Sequence, residues 1–178
     1  DQEDVTNMGN IHATVIHKTT LKIALGIIAI QDLEWRSFDV TGAFRKTPVE
    51  AGRNIYIRIP KGFPGISEKQ RRECCLKLDK YLYGTREAAA RWQDLYTDHL
   101  LAHGFKNSIK DVNFFWKLED SGKYTIFTTY VDDNLMGAES LEILDMNEEM
   151  ISKEFEIVTD KEPAFYVGWN ISRNREKR

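Results

Sequence analysis

The run Tyr130-Val131-Asp132-Asp133-Asn134-Leu135-Met136 carries apolar, strand-forming residues straight into two adjacent carboxylates and back into apolar residues. That pattern predicts a β-hairpin with two like charges at its tip. Adjacent ionised carboxylates repel, and a fold tolerates them best when a cation sits beside them. A third carboxylate, Asp39, follows Trp35-Arg36-Ser37-Phe38 and precedes Val40, near the end of a short buried strand. Hard oxygen ligands from two strands suit Mg²⁺, which takes a few carboxylates and keeps water and phosphate oxygens as its other ligands. Two such ions about 3.5–4 Å apart can activate a hydroxyl and neutralise a phosphoryl leaving group. Each feature also has a plainer reading. Asp and Asn are ordinary turn residues, and a strand-end aspartate is often only a structural acceptor. Spacing alone does not bring the two stretches together.

The elements that must position these carboxylates follow from hydrophobic periodicity. Leu21, Ala24, Leu25 and Ile28 have helical spacing, with Thr19 or Thr20 as cap, ahead of the strand that ends at Asp39. Ile55, Ile57 and Ile59 alternate with Tyr56 and Arg58, the period of a half-buried strand, and Pro60, Gly62, Pro64 and Gly65 stop it. Leu76 and Leu78 suggest a partner strand, so residues 45–83 read as a small lobe inserted into a larger fold. Thr85 is expected to cap a helix with apolar face Ala88, Ala89, Trp92, Leu95, Tyr96 and Leu100, closed by Gly104. Two strands, 113–118 and 124–131, flank a polar turn containing Ser121-Gly122, and 135–138 follows the acidic pair. Ser140 caps a helix carrying Leu144, Ile151 and Phe155, and a last strand lies near 165–171. The predicted class is α+β, an antiparallel sheet with helices on one face.

Composition narrows the function classes. With 42% apolar residues in 178, the chain can build a core as one domain with a small lobe. The best apolar stretch, 21–30, is interrupted by Lys22 and falls short of the roughly 18 residues a membrane span needs. A membrane partner is therefore not expected, and an intracellular site is. Cys74 and Cys75 are neighbours, too close for a relaxed disulfide and without partners at zinc spacing, which leaves buried or incidental thiols. The net charge of −3 argues against phosphate binding over the whole surface. Basic residues cluster at Lys69, Arg71 and Arg72, followed by Lys77 and Lys80, and again at Arg173, Arg175, Lys177 and Arg178.

Four blocks occur in a recognisable order. They are Ser37-Phe38-Asp39-Val40-Thr41-Gly42-Ala43-Phe44; Ile55-Tyr56-Ile57-Arg58-Ile59-Pro60-Lys61-Gly62-Phe63; Leu76 to Gly84 with Ala88-Ala89-Ala90-Arg91-Trp92; and Tyr130-Val131-Asp132-Asp133. Together they resemble the reverse transcriptase of copia-type long-terminal-repeat retrotransposons over about residues 20–171. The resemblance implies a right-hand polymerase palm, a ferredoxin-like antiparallel sheet formed by 20–44 and 84–172, with a partial fingers insertion at 45–83. Residues 1–178 would then be a single reverse transcriptase fragment. No thumb or ribonuclease H segment is expected in it.

By that resemblance Asp39 and Asp132 match the metal-coordinating carboxylates, Asp133 their neighbour, and the Val40 carbonyl a further ligand. The cofactor is Mg²⁺, with Mn²⁺ able to substitute. Phe44, five residues after Asp39, matches an aromatic gate beneath the deoxyribose; a core phenylalanine is the equal alternative. Gly84, Arg86 and Tyr130 fall where the incoming nucleotide is bound, and Val167, Gly168 and Trp169 resemble a primer-gripping hairpin. Lys161 falls near a proton-donating lysine of the family. Expected partners are an RNA or DNA template with its primer, deoxynucleoside triphosphates, and the remaining polyprotein with integrase and ribonuclease H. The implied location is a cytoplasmic virus-like particle or the nucleus. Departures are visible: Gly84-Thr85-Arg86-Glu87-Ala88-Ala89 stands where relatives read Gly-Leu-Lys-Gln-Ala-Pro, and Glu87 adds negative charge where nucleic acid should lie. Arg45-Lys46-Thr47 replaces a short Leu-Asn-Gly turn, and the basic first fingers strands are not evident. A catalytically silent palm that binds nucleic acid or a protein partner is the alternative.

Overall fold

A computed structural model describes residues 13–85 and 87–176. Helix α1 (Lys18–Ile30) buries Leu21, Ala24 and Ile28, the face its spacing predicts. Its first turn takes in both threonines, so neither is the cap. The N-cap is His17, which makes no side-chain bond there. The His17 amide instead donates to Asp111 Oδ2 at 2.9 Å, a tertiary tether that local sequence cannot announce.

Strand β1 (Glu34–Val40) ends beside Asp39 as expected, and the short helix α2 (Ala43–Lys46) follows. Residues 45–83 then contribute β2 (Tyr56–Arg58), α3 (Glu68–Glu73) and β3 (Cys75–Lys77). Strands β2 and β3 pair antiparallel in a sheet of their own. Helix α3 was not foreseen, although Ser67 and Gln70 form a reciprocal capping box at its start. Cys74 and Cys75 are free and exposed.

Helix α4 (Ala88–Ala102) begins after Glu87, which offers no side-chain cap. The Thr85 hydroxyl donates backwards to the Leu82 carbonyl at 2.7 Å, so it closes the preceding turn rather than capping the helix. Gly104, at φ +87°, ends α4 as expected. Next come β4 (Lys106–Asn107), β5 (Phe114–Leu118), β6 (Tyr124–Tyr130) and β7 (Asp133–Ala138). Helix α5 (Leu141–Ser152) starts where the Ser140 hydroxyl accepts from the Ile143 amide. Strand β8 (Ile157–Asp160) precedes β9 (Phe165–Tyr166) and β10 (Trp169–Asn170). The expected single strand at 165–171 is therefore folded in half. Val167 (φ +47°) and Gly168 (φ +80°) are both left-handed, the geometry of a tight hairpin turn.

The main sheet runs β4-β5-β6-β7-β1-β8 with every neighbouring pair antiparallel. Setting aside α1, residues 43–83, the β4–β5 pair and the β9–β10 hairpin, the chain runs β1-α4-β6-β7-α5-β8, a ferredoxin-like β-α-β-β-α-β order. One face buries Phe38, Val40, Phe127 and Met136 against Trp92, Tyr96, Leu100, Leu144 and Ile151 of α4 and α5. The opposite face buries Ile126 and Leu135 against Leu21, Ala24 and Ile28 of α1, with Tyr166 of the hairpin.

Helices thus cover both faces, not one. The physical reason lies in β6 and β7, whose side chains are buried on both sides. Gly137 lets α1 approach: Ile28 Cγ1 lies 2.7 Å from where a Gly137 Cβ would sit. Among the described residues no helix is long and apolar enough to cross a membrane.

Candidate active site

The β6–β7 connection is a two-residue turn of Val131 and Asp132, with Tyr130 and Asp133 opposite each other at its base. Val131 has φ +61°, a strained setting for a β-branched residue that must be held by its surroundings. Four hydrogen bonds hold it. Trp92 Nε1, on a fully buried ring, donates to the Val131 carbonyl at 2.8 Å. The Asp132 carbonyl accepts from Asn134 Nδ2 at 2.7 Å and from the Val40 amide at 3.0 Å. The Tyr166 hydroxyl donates to the Asp133 carbonyl at 3.4 Å.

The Val40 bond joins the two distant stretches. Strand β1 pairs with β7 so that Asp39 lies directly opposite Asp133. Cross-strand neighbours of this kind have Cβ atoms roughly 4.5–5.5 Å apart. The three carboxylates accordingly feel one another. Burial, and then the charge of Asp132, hold the Asp39 carboxyl above the ordinary carboxylate range. Burial, then Asp132 and Asp39, do the same to Asp133. Among the described residues no group of three or more His, Cys, Asp or Glu is placed to hold a metal ion by itself. The donor set still fits Mg²⁺, because that ion uses only one or two carboxylates and completes its shell with water and substrate phosphate. Mutual repulsion among unpaired acids is the condition a cation would relieve.

Asp39, Asp133, Asp160, Phe165, Val167 and Gly168 border one cleft of about 270 Å³ beside the β9–β10 turn. The structure therefore brings Asp39, Val40, Asp132, Asp133, Val167 and Gly168 into one neighbourhood. Trp169 faces elsewhere, packed toward α1 with the Lys22 ammonium 5.6 Å above its ring. Tyr130 is half-buried on the α1 side. Gly84 is exposed at φ +90° with open space around it, and Arg86 lies outside the described residues. Phe44 is buried beneath Tyr83, the ring centroids 4.3 Å apart. Lys161 lines a separate groove with Glu34, Arg36 and Arg175.

Three residues that position the site went unassigned in the sequence: Trp92 as a tether of the turn, Tyr83 and Asn134. The signal for Trp92 was present, since a buried indole N–H nearly always needs an acceptor. Tyr83 donates to Asp132 Oδ2 at 3.3 Å, a contact between chain segments that no spacing reveals. The negative charge at Glu87 is absorbed by Arg53 at 2.5 Å, with the Tyr81 hydroxyl 3.5 Å away. Arg91 is likewise engaged, by Glu50 at 2.6 Å and Asp94 at 3.3 Å. Of the C-terminal basic residues, Arg173 and Arg175 are spent on Asp32 and Glu34.

Residues 2–177 match the family reverse transcriptase (RNA-dependent DNA polymerase). The retrovirus-related Pol polyprotein from transposon RE1 of Arabidopsis thaliana is 29% identical over 160 residues, covering 89% of this chain and 10% of that protein. The corresponding polyprotein from transposon RE2 of the same plant is 27% identical over 159 residues, with 89% and 10% covered. That from transposon TNT 1-94 of Nicotiana tabacum is 27% identical over 179 residues, covering 100% of this chain and 13% of the relative. The chain spans about a tenth of the length of these curated relatives. With a match across nearly its whole length and the paired acidic strands in place, the chain belongs to the reverse transcriptase family.

Proposed function

We propose that this chain is the palm, with a partial fingers insertion at 45–83, of an RNA-directed DNA polymerase cut from a retrotransposon Pol polyprotein. One observation carries the reading: Asp39 sits opposite Asp133, on a strand bonded to Asp132 through the Val40 amide. In this reading Asp39, the Val40 carbonyl, Asp132 and Asp133 would hold magnesium, for which manganese substitutes. When bound, the ions supply acidity to the primer hydroxyl and charge neutralisation to the triphosphate.

The chain's own residues position the reactants. Their contribution is orientation and a preorganised field, since nucleotidyl transfer asks little covalent chemistry of the protein. Gly84, whose lack of a side chain permits close approach, lies under the incoming nucleotide. Phe44 floors the sugar end. Val167 and Gly168, which border the cleft at Asp39 and Asp133, hold the primer terminus. Template, primer and deoxynucleoside triphosphates are the substrates, and the rest of the polyprotein, with integrase and ribonuclease H, is the physical partner.

The test is primer extension on an RNA template by the full polyprotein enzyme. Asp132→Asn is expected to lower the rate by roughly a thousandfold or more while template–primer binding persists. An unchanged rate overturns the reading.

A second reading is a catalytically silent module that binds nucleic acid or a protein partner. It is favoured by the finding that, among the described residues, no group of three or more His, Cys, Asp or Glu is placed to hold a metal ion by itself. It predicts salt-sensitive template–primer binding with no nucleotide incorporation by the wild-type enzyme.

A further inference from the structure

Among the described residues, the strands of the β9–β10 hairpin pair only with each other, so no sheet ladder ties it to the main sheet. Its open end is fastened to α1, by the Lys22 ammonium over Trp169 and by Arg173, which follows β10 and donates to the Ile28 carbonyl. Its turn end reaches the acidic strands instead. Among the described residues, every hydrogen bond between the hairpin and β6 or β7 runs through one atom, the Tyr166 hydroxyl. That oxygen lies 3.3 Å from Thr128 Oγ1, 3.5 Å from the Thr128 carbonyl and 3.4 Å from the Asp133 carbonyl. A phenol has one proton to give, so it serves one carbonyl at a time while the threonine hydroxyl can donate to it. The ring is only 3% exposed and belongs to the apolar cluster of Leu21, Ile126 and Leu135. Burial holds the phenol protonated well above its ordinary range; the bond with Thr128 opposes that shift and the Asp133 charge adds to it.

We infer that Tyr166 is a positioning residue: its hydroxyl fixes the height of the Val167–Gly168 turn above Asp133, and with it the distance from whatever the turn holds to the paired carboxylates. The inference rests on the polymerase reading and deepens it, because in that reading the turn holds the primer terminus. Tyr166, Val167 and Gly168 border the same cleft as Asp39 and Asp133, so a shift of the turn changes the cleft directly. Apolar burial is non-directional and lets a ring slide within its cluster. A hydrogen bond to the Asp133 backbone does not. A misplacement of about 1 Å at reacting groups can cost about a hundredfold in rate. The hydroxyl therefore acts on the rate of the bound complex and not on its affinity.

The test uses the full polyprotein enzyme on an RNA template with annealed primer. It measures the single-turnover rate at saturating dGTP alongside the Kd for primer–template. Tyr166→Phe keeps the buried ring and removes only the hydroxyl. It is expected to lower the saturated rate at least about tenfold while changing that Kd by less than about twofold. Thr128→Val removes one partner of the same hydroxyl and is expected to lower the rate less. The double variant should be scarcely slower than Tyr166→Phe, as for two groups acting through one contact. An unchanged rate in Tyr166→Phe overturns the inference and leaves the polymerase reading standing, since the hydroxyl then serves stability alone. A weakened Kd with an unchanged rate also overturns it, because the hydroxyl would then help to grip the primer and not to place it. Should thermal melts show that Tyr166→Phe does not fold, Thr128→Val carries the test, and an unchanged rate there overturns the inference. A wild-type enzyme that binds primer–template and incorporates nothing overturns the polymerase reading, and the inference with it.

Discussion

The main sheet and the 45–83 segment of this chain are built on opposite principles. Around β1, β6 and β7, aromatic and aliphatic side chains interlock on two faces, and the acidic turn is tied down by four hydrogen bonds, three of them from other elements. In 45–83 only Thr47, Ile59 and Tyr81 are buried, and strands β2 and β3 are three residues each. Polar contacts stitch the segment to the rest: Arg53 to Glu87, and Glu50 to Arg91. A small sheet with few buried apolar groups sits at the low end of local stability, where ligand-responsive elements are found. The difference teaches that rigidity is concentrated where charges must be held against their own repulsion. The other segment is left free to adjust to what it meets.

The largest expected contrast comes from truncating one side chain in each region. Trp92→Ala removes both a fully buried ring and the tether of Val131, and is expected to cost about 3–5 kcal/mol. Ile57→Ala, half-buried in β2, is expected to cost about 1 kcal/mol. Urea denaturation of the two variants measures the gap, and equal costs would mean that 45–83 is as tightly packed as the sheet.

A smaller effect has the opposite sign. Asp39 and Asp133 have folded-state pKa values above the ordinary range, through burial and then neighbouring charge. The folded chain therefore binds protons more tightly than the unfolded one. Stability is fully present below the ordinary carboxylate range and declines as pH rises through the raised values. Asp133→Asn is thus expected to raise the melting temperature in metal-free buffer at pH 7 by about 2 °C. That advantage should shrink as pH falls toward about 4. Thermal melts across this range check it, and a variant less stable than wild type at pH 7 counts against stored repulsion.

Much of this was legible in the sequence, for identifiable reasons. Strand β1 ending at Asp39, the acidic hairpin, the apolar face of α4 and the Ser140 cap of α5 all announce themselves by period or local chemistry. The sheet's second covered face was not legible, because β6 mixes threonine with apolar residues on both of its sides and so shows no alternation to say which carries a helix. Strands β4 and β8 are two and four residues long, below what alternation can reveal. The 165–171 hairpin turns on a left-handed Val167, a conformation valine rarely adopts and sequence does not predict. At the site, residue types located the carboxylates. The groups that hold and flank them, Trp92, Asn134 and Tyr83, act across 39, 2 and 49 residues of chain. Only the first and last needed the fold, and Asn134 was hidden as an ordinary turn residue.

Manganese binding followed by electron paramagnetic resonance, on wild type, Asp39→Asn, Asp132→Asn and the double variant, asks whether the two stretches share a cation. If they do, each single substitution weakens binding by about tenfold or more, and the double variant is scarcely worse than either. Wild-type affinity in Asp39→Asn, with binding lost only on changing Asp132, would show that the strands meet without acting together.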